Sequence, residues 1–141
     1  MSLDLEALET SFDLIAERGD ELMDTFYSRL FAAAPAVRSL FPQDMKQQKT
    51  MLLAALVLLR KSLRDLDAVV PALRKLGARH VAYGARPEHY PLVGATLIAS
   101  MAATARESWR PEYEAAWNAA FEVVASTMIA GAEEAELAAV A

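Results

Sequence analysis

The positions of glycine and proline restrict the fold of this chain more than any other feature of its sequence. The 141 residues include five glycines and six prolines, which interrupt long stretches dominated by alanine and leucine. Those stretches are rich in strong helix formers, and few of them alternate between apolar and polar residues as a half-buried strand would. We therefore expect an all-α protein, and its length suits one domain over residues 1–141. The Ala/Glu-rich end, residues 132–141, is expected to fray.

These breaks divide the chain into six or seven predicted helices. Pro35 and Pro42 bracket a single short helical turn, which leaves Phe41 in an irregular corner. Gly84 is the expected C′ residue of one helix, and Pro71 is expected to separate or kink the first turn of that helix. The predicted helices start near Ser2 or Asp4, break at Gly19, resume at the capping residue Asp20 and continue to about Ala34; the later ones cover about Pro35–Leu40, Asp44–Ser62, Asp67–Tyr83, Glu88–Arg106 and Pro111–Glu136.

Composition excludes several classes of protein. Hydrophobic residues make up 55% of the chain, enough for a sizeable core, and the net charge of −5 argues against nucleic acid or an anionic membrane as the main partner. The absence of cysteine removes disulfides, iron–sulfur clusters, thiolate zinc sites and cysteine nucleophiles. The longest apolar stretch, Met51–Leu59, is far shorter than the roughly 20 residues of a membrane-spanning helix. We expect a cytoplasmic protein.

Only two histidines are present, and they differ in setting. His80 follows Leu73 by seven residues and Leu76 by four, which places all three on one apolar helical face. Two interpretations stay open for it: a core histidine satisfied by a hydrogen bond, or a ligand of a metal or cofactor. His89 lies between two prolines, where an exposed or capping histidine at a helix start is expected. Their separation matches no recognised zinc-binding pattern.

Two further polar residues are predicted to lie on apolar helical faces. Tyr27 precedes Leu30 and Phe31 by three and four residues, so its hydroxyl needs a partner if the ring is buried. Gln47 precedes Met51 by four residues and shares a stripe with it, where an amide is costly unless it is bonded. An ordinary core would explain each of these residues separately. A buried cofactor whose ligand accepts hydrogen bonds would use His80, Tyr27 and Gln47 together.

The chain resembles a bacterial haemoglobin, and the closest likeness is to the globin domain of flavohaemoglobins and related single-domain bacterial haemoglobins. The resemblance covers nearly the whole chain and includes Trp117. It implies a globin fold of six to eight helices packed around haem b, iron protoporphyrin IX. It is carried, in order, by Phe26-Tyr27, the segment PAVRSLF at 35–41, Gln47, Arg79-His80 and the segment HYPLVG at 89–94.

The resemblance also implies a role for individual residues. His80 corresponds to the proximal iron ligand, and Tyr27 and Gln47 correspond to the distal tyrosine and glutamine that stabilise a bound ligand. Phe41 corresponds to the corner phenylalanine that stacks on the haem. Met51 takes the distal apolar position that leucine usually holds. On the proximal side, four further residues are expected to contact the haem: Leu76, Tyr90, Val93 and Leu97.

One position departs from the family pattern. The family has a glutamate in the last helix that hydrogen-bonds the proximal imidazole together with a tyrosine, here Tyr90. Counting from Trp117, that position is Ala132 in this chain. Glu133 is adjacent, but one residue of helix turns a side chain by about 100°, so a one-residue shift would be needed to restore the contact. The missing carboxylate weakens the expectation of strong peroxidase-like or dioxygenase chemistry.

The resemblance implies a haem globin that binds dioxygen reversibly, for oxygen transport, delivery or storage, and that also binds CO and NO. The alternative is a nitric oxide dioxygenase that works with a separate reductase, and a redox or gas sensor module is a third interpretation. Because Met51–Leu59 is apolar nearly all round, that helix should be deeply buried or lie partly at a subunit contact. A homodimer is therefore expected.

Overall fold

The structure is a computed structural model that describes residues 3–140. Within that range the chain is entirely helical apart from its connections, which confirms the predicted all-α class. Four short 3₁₀ turns, Ala16–Arg18, Pro35–Leu40, Leu66–Val69 and Arg106–Ser108, separate the longer helices. The α-helices are α1 Leu5–Ile15, α2 Gly19–Ala33, α3 Lys46–Lys61, α4 Val70–Ala82, α5 His89–Ala105 and α6 Pro111–Val140.

Most of the predicted helix ends are confirmed. The carboxylate of Asp4 accepts a hydrogen bond from the backbone N–H of Ala7 and caps α1, while Ser2 lies outside the described residues. Pro71 occupies the first turn of α4, and a separate 3₁₀ turn precedes that helix, as predicted. Gly84 has a φ of 89°, a left-handed conformation that suits the residue after a helix end.

Two predicted boundaries are wrong. Asp20 does not cap the second helix, because the chain passes from α1 through the 3₁₀ turn Ala16–Arg18 directly into a helix that begins at Gly19. The last helix continues beyond Glu136 to Val140, so the described part of the Ala/Glu-rich end is helical. Alanine and glutamate are good helix formers, which accounts for this continuation. Among residues 3–140 no helix is both long and apolar enough to cross a membrane.

The core lies where α1, α2, α5 and α6 meet. Trp117 of α6 is fully buried, and its indole N–H donates to the hydroxyl of Ser11, 2.8 Å away on α1. That hydroxyl in turn donates to the carbonyl of Ala7 at 2.6 Å. The pair therefore satisfies both polar groups at the centre of an otherwise apolar interface.

Helices α3 and α4 lie outside this core and have different neighbours. Helix α3 packs on α2 and α1, whereas α4 packs along α6, and within residues 3–140 these two helices do not pack closely on each other. Leu56 is the only α3 residue that is buried, and Met51 and Leu58 are 57% and 52% exposed. The expectation of deep burial for Met51–Leu59 is therefore wrong, because α3 is covered on one side only.

Two glycines bring α4 and α6 into unusually close contact. A Cβ atom built at Gly77 of α4 would overlap the carbonyl oxygen of Met128 on α6. In the same way, a Cβ atom at Gly131 of α6 would overlap the carbonyl oxygen of Arg74 on α4. Each helix thus places backbone against a glycine of the other, and these contacts fix the position of α4 on the core.

We expect Gly77→Ala to lower the free energy of unfolding by roughly 1–3 kcal/mol, because the added methyl group meets backbone that cannot rotate away. The matched control is Gly94→Ala in α5, where the added Cβ would lie 3.7 Å from the Cβ of Phe121, an ordinary contact. The control should leave stability unchanged or raise it by up to about 1 kcal/mol. Urea denaturation measures both variants, and equal stabilities would contradict the close approach of α4 and α6.

Candidate functional site

An aromatic cluster surrounds the first candidate residue, Tyr27. Its ring is only 3% exposed and lies on the inner face of α2. The ring of Phe41 approaches it edge-on with 5.7 Å between centroids, and the ring of Phe31 lies 5.9 Å away. Phe31 and Phe41 also contact each other edge-on at 5.4 Å. Such edge-to-face contacts favour one arrangement of the three rings, so the Tyr27 side chain is held in place.

Arg38 holds the corner that carries Phe41. Its guanidinium donates to the backbone carbonyls of Phe41, Pro42 and Gln43 at 3.3, 2.9 and 3.0 Å. It also lies 5.0 Å above the ring of Phe31, within range of a cation–π contact. These bonds replace the helical hydrogen bonds that the chain lacks between the 3₁₀ turn and α3. The predicted irregular corner at Phe41 is therefore an ordered feature.

Gln48 supplies the hydrogen-bond partner of Tyr27. The side-chain amide of Gln48 on α3 donates to the Tyr27 hydroxyl oxygen at 3.1 Å. Burial raises the pKa of Tyr27 above its usual value, and the hydrogen bond from Gln48 opposes that rise in part. The phenol is consequently protonated at neutral pH, and its O–H remains available to a further acceptor.

The predicted distal pair, Gln47 and Met51, does not face Tyr27. Both side chains are exposed in the structure, whereas Gln48 and Leu52 are half-buried on the face that packs toward α2. The sequence interpretation is therefore wrong by one residue, which corresponds to a rotation of about 100° around the helix axis. A signal for the observed face does exist: leucines follow Gln48 at +4, +8, +11 and +15, namely Leu52, Leu56, Leu59 and Leu63.

His80 occupies the last turn of α4 and is half-buried. Its Nδ1 lies 2.7 Å from the carbonyl oxygen of Leu76, one turn earlier in the same helix. Because a carbonyl oxygen only accepts hydrogen bonds, Nδ1 must carry the proton of the neutral ring. Nε2 then keeps its lone pair, and an unprotonated ring nitrogen of this kind can bind a metal ion.

Two tyrosines flank the imidazole. The ring of Tyr83 contacts His80 edge-on with 5.4 Å between centroids, and the ring of Tyr90 lies 6.5 Å away and tilted. Tyr90 is half-buried at the start of α5, and burial raises the pKa of its phenol. Tyr83 is 53% exposed and forms part of the protein surface. The histidine therefore has one aromatic neighbour toward the interior and one toward solvent.

The remaining predicted residues of this side lie on α5. Val93 is half-buried against the core, and Leu97 is buried within it. His89 begins the helix, and its Nδ1 accepts a hydrogen bond from the backbone N–H of Arg86 at 3.0 Å. This bond ties the connection before α5 to the first residue of that helix, whose N-cap position is held by Glu88 without a side-chain cap bond.

No carboxylate from α6 contacts the His80 ring among the described residues. Ala132 occupies the position of the expected glutamate, Glu133 is exposed, and Glu134 forms an ion pair with Arg74. The one-residue shift that would bring Glu133 inward does not occur. His80 is therefore bonded to a neutral carbonyl instead of a charged carboxylate.

The structure gathers the candidate residues into two groups. One group lies on α2, α3 and the corner between them and consists of Tyr27, Phe31, Phe41 and Gln48. The other lies on α4, its C-cap and the start of α5 and consists of Leu76, His80, Tyr83 and Tyr90. The sequence analysis placed Phe31 on the face of Tyr27 but did not identify Gln48, Leu52 and Tyr83.

Comparison with known proteins identifies the family. The family model described as Globin matches residues 24–128, which is most of the chain and includes both groups of residues. The chain belongs to the globin family. This confirms the resemblance and the expected globin fold, and it supports the predicted haem cofactor.

Individual relatives agree with this assignment. A flavohemoprotein from Bordetella parapertussis is 34% identical over 131 residues, which is 91% of this chain and 32% of that protein. The chain thus spans about a third of the length of the curated relatives it matches. A bacterial globin from Campylobacter jejuni superposes with a TM-score of 0.81 at 22% identity and covers 92% of this chain and 94% of that one. A flavohemoglobin from Malassezia yamatoensis with bound FAD and heme superposes with a TM-score of 0.78 at 18% identity, covering 92% and 36%.

We expect Gln48→Leu to raise the pKa of Tyr27 further, because the donor that favours the phenolate is lost. Gln47→Leu, the matched control on the exposed face, should leave that pKa unchanged. The ¹³Cζ chemical shift of Tyr27 as a function of pH measures both variants. If Gln47→Leu shifts the titration instead, the register of α3 described here is incorrect.

Proposed function

We propose that this chain holds one haem b through His80 and binds dioxygen reversibly, with CO and NO as further ligands. The observation that carries this proposal is the hydrogen bond from His80 Nδ1 to the Leu76 carbonyl. In the neutral ring it places the proton on Nδ1 and leaves the Nε2 lone pair free, and second-shell bonds of this kind orient histidine ligands in metalloproteins. When bound, the haem supplies an iron centre with one coordination position open to a diatomic gas.

The apolar side chains of α3 and α4 suit a flat, largely apolar cofactor. Leu52 and Leu59 of α3 and Leu73 and Leu76 of α4 are half-buried, and within residues 3–140 the two helices do not pack closely on each other. Phe41 adds an aromatic ring from the corner before α3. These residues would exclude water from the cofactor and so strengthen hydrogen bonds made beside it.

Tyr27 is the residue we expect to stabilise the gas ligand. Gln48 donates to its oxygen, so the phenol O–H is directed toward another acceptor. Burial raises the pKa of Tyr27 and keeps that proton in place. A hydrogen bond to a ligand that carries negative charge contributes about 1.5–3 kcal/mol, which corresponds to roughly ten- to hundredfold slower loss of the ligand.

The partner of His80 favours reversible binding over oxygen–oxygen bond cleavage. A carboxylate partner would make the imidazole a stronger electron donor. Here the partner is the carbonyl of Leu76, while Glu133 is exposed and Glu134 is paired with Arg74. The chain's own residues thus provide a distal hydrogen-bond donor without a strong proximal electron push.

Nitric oxide dioxygenation with a separate reductase is the second candidate function. The Tyr27–Gln48 pair suits it equally, and the exposed Tyr83 ring beside His80 offers a route for electrons from an external donor. A dioxygenase should convert NO to nitrate repeatedly when cell reductant is supplied, whereas a reversible oxygen-binding protein should convert it only once.

The lack of cysteine suits a reducing cytoplasm for either function. The exposed Met51 and Leu58 suit a homodimer.

We expect the purified protein to show a Soret band that shifts with CO after reduction, and His80→Ala to lose most of its haem. The loss follows because Nε2 of His80 is the proposed iron ligand. His80→Gly supplied with free imidazole should regain the band, and His89→Ala, the other histidine, should keep it. Unchanged haem content and spectrum in His80→Ala would refute the ligand assignment.

We expect Tyr27→Phe to speed dioxygen dissociation about tenfold or more, on the hydrogen-bond estimate above. Tyr113→Phe is the matched control, because it removes a hydroxyl from another buried tyrosine, one that packs against Trp109. Stopped-flow displacement of dioxygen by CO measures the rate. An off-rate equal to that of the control would mean that the phenol proton does not serve the ligand.

A further inference from the structure

The charges of this acidic chain are strongly segregated. Residues 35–90 contain ten lysines and arginines and four aspartates and glutamates, for a net charge of +6. The rest of the chain contains four basic and fifteen acidic residues, for a net charge of −11. Since residues 35–90 contain α3 and α4, the two helices that carry Gln48 and His80, the basic part of the molecule coincides with the proposed haem site.

Internal ion pairs account for only part of this basic excess. Four of the ten cations pair with carboxylates of the acidic part and so hold α3 and α4 to the rest of the fold. Arg38 is occupied by three backbone carbonyls. The ion pairs of these four cations are Lys49–Asp24, Arg60 with Glu9 and Asp13, Arg64–Glu9, and Arg74–Glu134.

Two of the remaining cations, Lys75 and Arg79, lie on α4, and a third, Arg86, follows in the connection to α5; we term these three residues the α4 basic face. All three are exposed, and no ion pair among residues 3–140 involves any of them. Lys75 and Arg79 lie four residues apart on α4, where like charges destabilise a helix. Glu88 is the only acidic residue between 70 and 90. The helix dipole favours a cation at Arg79, in the last turn of α4, but it does not explain Lys75, which lies further from the helix end.

Tyr83 links the α4 basic face to the proposed iron ligand. It directly follows α4, its side chain is 53% exposed, and its ring contacts the ring of His80 edge-on at 5.4 Å. A partner seated on this face would be separated from the imidazole by a single aromatic ring. Because Tyr83 is exposed, a partner can reach it without any movement of the helices.

We propose that the α4 basic face, with Tyr83 beside it, is the docking surface for an electron-donating flavoprotein whose surface is acidic. Basic and acidic surfaces steer such partners together and set their orientation. The acidic remainder of this chain would repel the same partner, so docking is confined to the side of His80. One electron passes from the flavin semiquinone to ferric iron, which gives ferrous iron, oxidised flavin and one proton released to water.

The test measures how fast reduced flavins transfer an electron to the ferric haem protein after a laser flash. The probes are the semiquinones of flavin mononucleotide, which carries a phosphate, and of lumiflavin, which has no charged group. Lys75→Glu combined with Arg79→Glu should slow the mononucleotide reaction about tenfold at low ionic strength and leave the lumiflavin reaction unchanged. Lys75→Gln combined with Arg79→Gln should give an intermediate rate.

The matched control is Arg29→Glu combined with Arg110→Glu, which changes the net charge equally but outside residues 35–90. At the same low ionic strength its rate with flavin mononucleotide should fall clearly less than that of the Lys75→Glu, Arg79→Glu variant, because its reversed charges lie outside the α4 basic face. A second readout is the amide chemical shifts of the CO-bound protein titrated with an oxidised flavodoxin of net negative charge. The shift changes should cluster at residues 75–86.

Three outcomes would overturn this docking surface: equal slowing in both double charge-reversal variants, equal slowing with lumiflavin, or shift changes away from residues 75–86. Because the docking surface presupposes the haem proposed above, the Soret band of each variant is recorded first. A missing band in the wild type refutes the haem, whereas a normal band with unchanged flavin rates refutes only the docking surface.

Discussion

The hydrogen bond between the His80 ring and the Leu76 carbonyl is the interaction on which the candidate site of this globin depends. It lies within one turn of α4, so the sequence spacing and the helix geometry together produce it. It decides which ring nitrogen carries the proton and leaves the other free for a metal ion. Its position relative to the core depends in turn on Gly77 and Gly131, which let α4 and α6 approach with backbone against backbone.

The group around Tyr27 depends on a buried hydrogen bond between two helices. Tyr27 is buried among aromatic rings, where an unpaired hydroxyl would be costly, and Gln48 removes that cost by donating to its oxygen. The amide thereby leaves the phenol proton for an external acceptor. A polar pair of this kind beside a cluster of aromatic rings suits a small ligand that itself accepts a hydrogen bond.

Ion pairs between the basic and the acidic parts of the chain hold the two helices of the site, α3 and α4, to the rest of the molecule. Arg60 and Lys49 tie α3 to α1 and α2, while Arg74 ties α4 to α6, so the basic part of the chain is clamped to the acidic part. Exposed ion pairs contribute little to stability individually. Lys75 and Arg79 take part in none of these ion pairs. They give the surface beside His80 a positive charge, although the chain as a whole is acidic.

The sequence by itself determined the helices, the corner at Phe41 and the position of His80 on an apolar helical face, because proline, glycine and the 3.6-residue period act locally. It did not determine whether Gln47 or Gln48 faces Tyr27. Both glutamines begin apolar stripes on α3, and only the packing of that helix on α1 and α2 decides which stripe turns inward. Tertiary structure also settled whether a carboxylate of α6 could reach His80, because the outward rotation of Glu133 and the pairing of Glu134 depend on how α6 meets α4.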